Sequence, residues 1–173
     1  MAGAEKGAIA GRNAGALGAL GAAEERARAA RAAEEAANKA AEAAKQARAE
    51  ADEADAMCGK VAKSELPAFH GVPCTIKECF ALEGMPNASG LVRRRGVIAY
   101  DDATTVARLR ESGAIPLGVT NTSELCLWME SNNYVYGRTN NPYNPGRTVG
   151  GSSGGEGAIV AAGASPFGLG SDI

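Results

Sequence analysis

Residues 150–157 read Gly-Gly-Ser-Ser-Gly-Gly-Glu-Gly and open directly onto the apolar run Ala158–Ala162. Glycines without a Cβ let backbone approach backbone or ligand closely, and two adjacent hydroxyls, Ser152 and Ser153, sit in the middle. A plain Gly/Ser linker has this composition, but a linker does not run straight into a helix-forming apolar segment. A phosphate loop needs Lys and then Ser or Thr after its last glycine. Here Glu156 follows Gly155, so that reading fails. The stretch reads as a turn that presents serine ahead of a buried helix.

Upstream, Gly71–Glu78 reads GVPCTIKE. Val72, Cys74 and Ile76 alternate with Pro73, Thr75 and Lys77, the period of a strand. Thr75 and Lys77 are therefore expected on one face and the apolar side chains on the other. A lone lysine on a strand is an ordinary solvated charge. Together with the serine pair it becomes a candidate base.

These two motifs stand beside GMPNASGL (84–91), GAIPLGVTNTSELCLW (113–128), ESNN (130–133) and YGRTNNPYN (136–144). Together they resemble the amidase signature family of serine hydrolases, above all its fatty-acid amide hydrolase branch, from about Pro67 to Ile173. The resemblance implies a three-layer α/β/α amidase-signature fold, incomplete in this chain and preceded by a long Ala-rich helix. It implies hydrolysis of a small-molecule carboxylic amide, of the fatty-acid amide type, through an acyl-serine and without a cofactor or metal. Lys77 would be the base and Ser152, after a cis peptide bond, the relay serine. Ser153, Ser171 and Asp172 would support them, and the backbone N–H of Ile173, with two glycines expected after it, would form the oxyanion hole. The family's nucleophilic serine follows Gly-x-Asp-Ile in a Gly-Gly-Ser segment. This chain reads Gly170-Ser171-Asp172-Ile173 at its end, so the nucleophile is expected a few residues further on, and the chain alone is expected to be inactive. An inactive fragment or split-gene product is the rival reading. A glutamine amidotransferase-type subunit is another, against which ELCLWMES (124–131) argues.

The chemistry sets its own demands. An amide resists attack and its amine leaves badly, so hydrolysis needs an activated nucleophile, an oxyanion hole and a proton for the leaving nitrogen. A lysine serves as base only when neutral. Lowering the ordinary lysine pKa of about 10.4 to near 7 costs about 4 kcal/mol, which the base reading expects burial near no carboxylate to supply. Glu78 adjoins Lys77 but faces the other way along a strand. Cys126, Trp128 and Met129, with Leu125 and Leu127, are apolar enough to touch an acyl chain and equally suited to a helix core.

Composition bounds the rest. With 173 residues and a formal charge of −2, the chain is one ordinary domain in size with no basic excess to suggest nucleic acid. Cys58, Cys74, Cys79 and Cys126 form no C-x-x-C pair and His70 is the only histidine. Neither a zinc site nor a Cys–His nucleophile is expected. Free cysteines favour a reducing, cytoplasmic setting. No run of 18 apolar residues exists, so no spanning helix is expected. Membrane association of the complete enzyme and its oligomeric state are left open.

Residues 1–36 are an Ala/Gly-rich, low-complexity segment with the start of a helix, and 37–173 the N-terminal part of the amidase domain. Residues 1–23 are expected to be unstructured. Residues 22–58 lack Gly and Pro and are rich in strong helix formers, with Glu24–Arg28 and Glu35–Lys39 as i,i+4 pairs. Beyond them, strands are expected at 72–77, 114–119 and 167–173. Helices are expected at 102–112 (capped by Asp101 or Asp102), from Thr122 or Ser123 to 129, and at 155–163. Strand–helix alternation of this kind implies a parallel sheet.

Overall fold

The computed structural model describes residues 2–172. The chain divides into two units, Met1–Asn38 and Lys39–Ile173. Helix α1 spans Ala2–Met57, so the unstructured start expected over 1–23 is corrected to helix from Ala2 onward, Met1 lying outside the described residues. Glycine lowers helix propensity by about 1 kcal/mol relative to alanine, and the alanines between the glycines, with no proline, carry the turn through. Among the described residues no helix is long and apolar enough to cross a membrane.

In the second unit, α1 turns a stripe of small side chains inward. Ala47 is buried and Ala43 packs against the core. The carbonyl of Ala54 faces His70 Nε2 at 3.0 Å. Arg110 of the helix at 104–111 reaches α1 and binds Glu50 Oε1 at 2.7 Å, and it also binds Asp102 Oδ2 at 2.8 Å. Methyl-sized side chains let helix backbone approach this closely, so a helix with few large apolar residues still docks.

The sheet is parallel. Strand β1 (Pro73–Lys77) lies between β2 (Ile115–Thr120) and a short strand, Gly168–Leu169, which is β5 in chain order. Helix α2 (Thr104–Glu111) and the segment Leu82–Met85 cover one face, where Cys74, Ile76, Leu82, Met85, Val106 and Ala114 form the core. Helix α3 (Gly154–Ala161) covers the other. Helix, sheet and helix make the expected three layers. Strand β1 is buried on both faces, which is why its polar residues Thr75 and Lys77 are as buried as Cys74 and Ile76.

Several boundaries differ from the sequence expectation, each for a tertiary reason. Strand β5 leaves the ladder after Leu169 because both backbone polar groups of Ser171 bond to Ser153 Oγ. Neither Asp101 nor Asp102 caps α2, whose N-cap is Ala103; Asp102 instead accepts the Glu83 N–H at 2.8 Å and pairs with Arg110. The helix expected over 122–129 is a single 3-10 turn, Glu124–Cys126, with Leu125 and Cys126 in left-handed conformation at φ 50° and 63°. There the Leu125 N–H goes to the Ser89 carbonyl at 2.7 Å and the Trp128 N–H to Ser123 Oγ at 3.2 Å. These bonds outcompete a helical ladder, and Leu125, Leu127, Trp128 and Met129 are exposed rather than helix core. A two-residue hairpin, β3 (Asn132–Asn133) and β4 (Gly137–Arg138), was not expected. Asn133 Oδ1 builds its turn by accepting the N–H groups of Val135 and Tyr136.

Candidate active site

The end of β1 and the start of α3 meet beneath the sheet's covered face. Lys77 closes β1 opposite Thr120 of β2 and has no exposed surface. Its Nζ lies 2.5 Å from Ser152 Oγ, 2.9 Å from Ser171 Oγ and 3.3 Å from the Ser171 carbonyl. Three bonds fill the donor capacity of an ammonium. Among the described residues no carboxylate forms a salt bridge with Lys77, but the expectation of a site remote from carboxylates is corrected: the buried Glu156 is close enough to interact with Lys77 through its charge. Glu78 points away, as alternation requires, and accepts the N–H groups of Ala88 at 2.5 Å and Ser89 at 2.6 Å and the Tyr136 hydroxyl at 2.6 Å. Burial raises the Glu78 pKa, and those three bonds work against the rise.

Ser152 is held by its backbone as much as by its side chain. The Gly151–Ser152 peptide bond is cis. The Ser152 carbonyl accepts the hydroxyls of Thr122 and Ser131, each at 3.0 Å, and Ser131 Oγ accepts the Gly154 N–H at 2.7 Å. Both hydroxyl donors are buried, so each bond is shielded from water. Ser153 donates its hydroxyl to the Ser171 carbonyl at 3.0 Å and accepts the Ser171 N–H at 3.1 Å. That reciprocal pair brings Ser171 to Lys77. The glycines of the motif have a packing reason at Gly155, where a methyl group would collide with the backbone of Asn121.

Glu156, in the first turn of α3, is buried. Its Oε2 accepts the Thr75 hydroxyl and its Oε1 the Thr120 hydroxyl, both at 2.6 Å. Burial raises its pKa, opposed by those two bonds and by the positive charge of Lys77. Cys79 Sγ lies 4.0 Å from Ser171 Oγ, and burial pushes its thiol up to about 11.

Of the residues singled out from sequence, Lys77, Ser152, Ser153 and Ser171 come together. Asp172 is exposed, and Ile173 lies outside the described residues. Cys126 is buried, with its Sγ 3.4 Å from Thr122 Oγ1. Trp128 and Met129 are exposed on the segment whose Met129–Glu130 backbone packs against Gly151. His70 is engaged with the Ala54 carbonyl. Sequence reasoning missed Thr122, Ser131, Thr120 and Glu156. Ser131 carries no local signal; Glu156 had one, as an acid amid glycines at the mouth of a helix.

The fold and this constellation define a class. The family model for amidases matches residues 22–173, and the chain belongs to the amidase family. It is 60% identical over 114 residues to fatty-acid amide hydrolase 2-B of Danio rerio, covering 66% of this chain and 22% of that protein. It is 63% identical over 105 residues to fatty-acid amide hydrolase 2 of Homo sapiens, covering 61% and 20%. A solved structure of a vestigial protein complex, described as revealing the origins of an s-triazine catabolic enzyme, superposes with a TM-score of 0.68 at 42% identity, over 74% of this chain and 28% of that one. The chain thus spans about a fifth of the length of these curated relatives.

Proposed function

We propose that the complete protein hydrolyses carboxylic amides of the fatty-acid amide type, with Lys77 as base and Ser152 as proton relay. The observation that carries this reading is the 2.5 Å contact between the fully buried Lys77 amine and Ser152 Oγ. With the lysine as a free amine the contact reverses. Nζ keeps two N–H donors for Ser171 and accepts the Ser152 hydroxyl proton. Ser152 in turn takes a proton from an attacking serine, which this reading assigns to the complete protein beyond the described residues. The Lys77 ammonium then returns the proton to the leaving nitrogen. Ser153 and Ser171 hold the amine in line. The N–H of Ile173 and the glycines expected after it would cradle the oxyanion. Asp172 would orient that loop, and Cys126, Trp128 and Met129 would line the acyl side. The likeness to two fatty-acid amide hydrolases supports the substrate class.

The test uses the complete protein, a long-chain primary amide and a fluorophosphonate that labels activated serines. Lys77→Met and Ser152→Ala should each lower kcat by about 10²–10⁴-fold, the range for a lost general base, and should slow labelling. Activity within tenfold of wild type in folded Lys77→Met would refute the assignment. Release of ammonia from glutamine, with no long-chain amide hydrolysis, would move the protein to the amidotransferase branch.

A further inference from the structure

We infer that Glu156 is a positioning residue for the Lys77–Ser152 pair: its carboxylate locks the start of α3 onto the sheet and supplies the counter-charge for the Lys77 ammonium. This inference rests on the proposed function. Three strands converge on the carboxylate. From β1 comes the Thr75 hydroxyl and from β2 the Thr120 hydroxyl, at 2.6 Å each. From β5 comes Gly168, opposite Thr75 in register, where any Cβ would overlap Glu156 Oε2. Glu156 lies four residues after Ser152, and Thr75 two before Lys77 on the same face of β1. Two polar contacts therefore run side by side between β1 and the start of α3: Thr75 to Glu156 and Lys77 to Ser152. Thr120 is also the register partner of Lys77, so the second clamp is anchored beside the lysine itself. Fixing one rung of this pair fixes the other.

The charge argument follows from what surrounds the acid. Both threonines donate to Glu156, the arrangement an ionised carboxylate accepts with its two oxygens. The charged or titratable groups that feel it are Lys77 and Cys74, both on β1; β2 offers only a hydroxyl and β5 only glycine. When Ser152 gives its proton to Lys77, the amine becomes an ammonium on a side chain with no exposed surface. The nearby negative charge then stabilises that cation without bonding to it. An interaction made only after proton transfer raises kcat and leaves substrate binding unchanged.

The experiment measures kcat and KM, with thermal unfolding, for Glu156→Gln in the complete protein. The amide keeps the shape, and each threonine hydroxyl can turn to donate or accept. The inference expects a folded variant with unchanged KM and kcat lowered about tenfold or more. A folded variant with wild-type kcat overturns the inference, and so does one whose loss appears in KM alone. If Glu156→Gln does not fold, Thr120→Val decides, since it leaves the carboxylate in place with one clamp fewer. A lowered kcat at unchanged KM then supports the inference, and wild-type kcat overturns it. Lys77→Met separates the two levels: if it stays active, the proposed function falls. If it is inactive while Glu156→Gln is not, only the role of Glu156 falls.

Discussion

Substituting alanine at Gly155 tests whether the glycines of the 150–157 stretch exist for close packing rather than for flexibility. In an ordinary helix interior, Gly→Ala stabilises by about 1 kcal/mol. At Gly155 the added methyl would stand 2.6 Å from Asn121 N and 2.9 Å from Thr120 Cβ. Its nearest neighbours include backbone of β2's continuation, which cannot swing aside as a long side chain can. Asn121 O is nearer still, so bringing the 2.6 Å approach to the 3.4 Å at which ordinary contact begins moves α3 outward by about 0.8 Å at the least. Overpacking of this kind costs about 1–3 kcal/mol, which outweighs the propensity gain. Ser152 moves with the helix start, so its 2.5 Å contact with Lys77 opens. A displacement near 1 Å lowers kcat by about 10²-fold. Gly157 is the internal control, because a methyl there meets nothing closer than Val149 O at 4.0 Å. Gly157→Ala should be neutral or stabilising by up to about 1 kcal/mol, with wild-type turnover. Chemical denaturation and amide hydrolysis of both variants in the complete protein make the comparison. Equal stability and activity for Gly155→Ala and Gly157→Ala would refute the packing argument.

Ser131→Ala removes a hydroxyl that donates to the Ser152 carbonyl and accepts the Gly154 N–H; it should destabilise by about 2 kcal/mol, and a change below 0.5 kcal/mol by chemical denaturation, on the order of a neutral surface substitution, would contradict it. Burial raises the Glu156 pKa above its ordinary 4.5, so the folded state holds that proton more tightly than the unfolded one. The stability this contributes is complete below the unfolded value and is lost as pH rises through the folded value. Glu156→Gln should therefore gain on wild type with rising pH from about 4.5 upward, and a pH-independent difference in unfolding free energy would contradict the shift. Burial lifts the Cys74 and Cys79 thiols to about 11, leaving about one thiolate in a thousand at pH 8. Iodoacetamide at pH 8 should alkylate exposed Cys58 well before either, as read by peptide mass spectrometry; equal rates would be the opposing result.

Much of the architecture was legible because its signals are local. The alternation at 72–77 placed Thr75 and Lys77 on one face, and both do face α3. The Gly/Pro-free run announced a helix, and the glycine-rich turn announced where serines would be presented. What misled was equally specific. Thr122–Met129 has the composition of a capped helix, yet contacts to Ser89 and Ser123, distant or local, broke its ladder. Asp102 looked like a cap and became half of an ion pair with Arg110. Propensity compares a segment with itself in water and knows nothing of the partners that arrive from elsewhere in the chain.

The sequence by itself determined the strand carrying Lys77, the serine-presenting turn, the parallel order of elements and the amidase resemblance. Each depends on residue type and short-range periodicity. Only the tertiary structure decided which polar groups surround the pair. Thr122 and Ser131 on the Ser152 carbonyl, Ser171 on Lys77, and Thr75 and Thr120 on Glu156 are separated along the chain by between 21 and 94 residues. Such contacts form because buried polar groups must find partners once the sheet and α3 close over them, and no local pattern records that requirement.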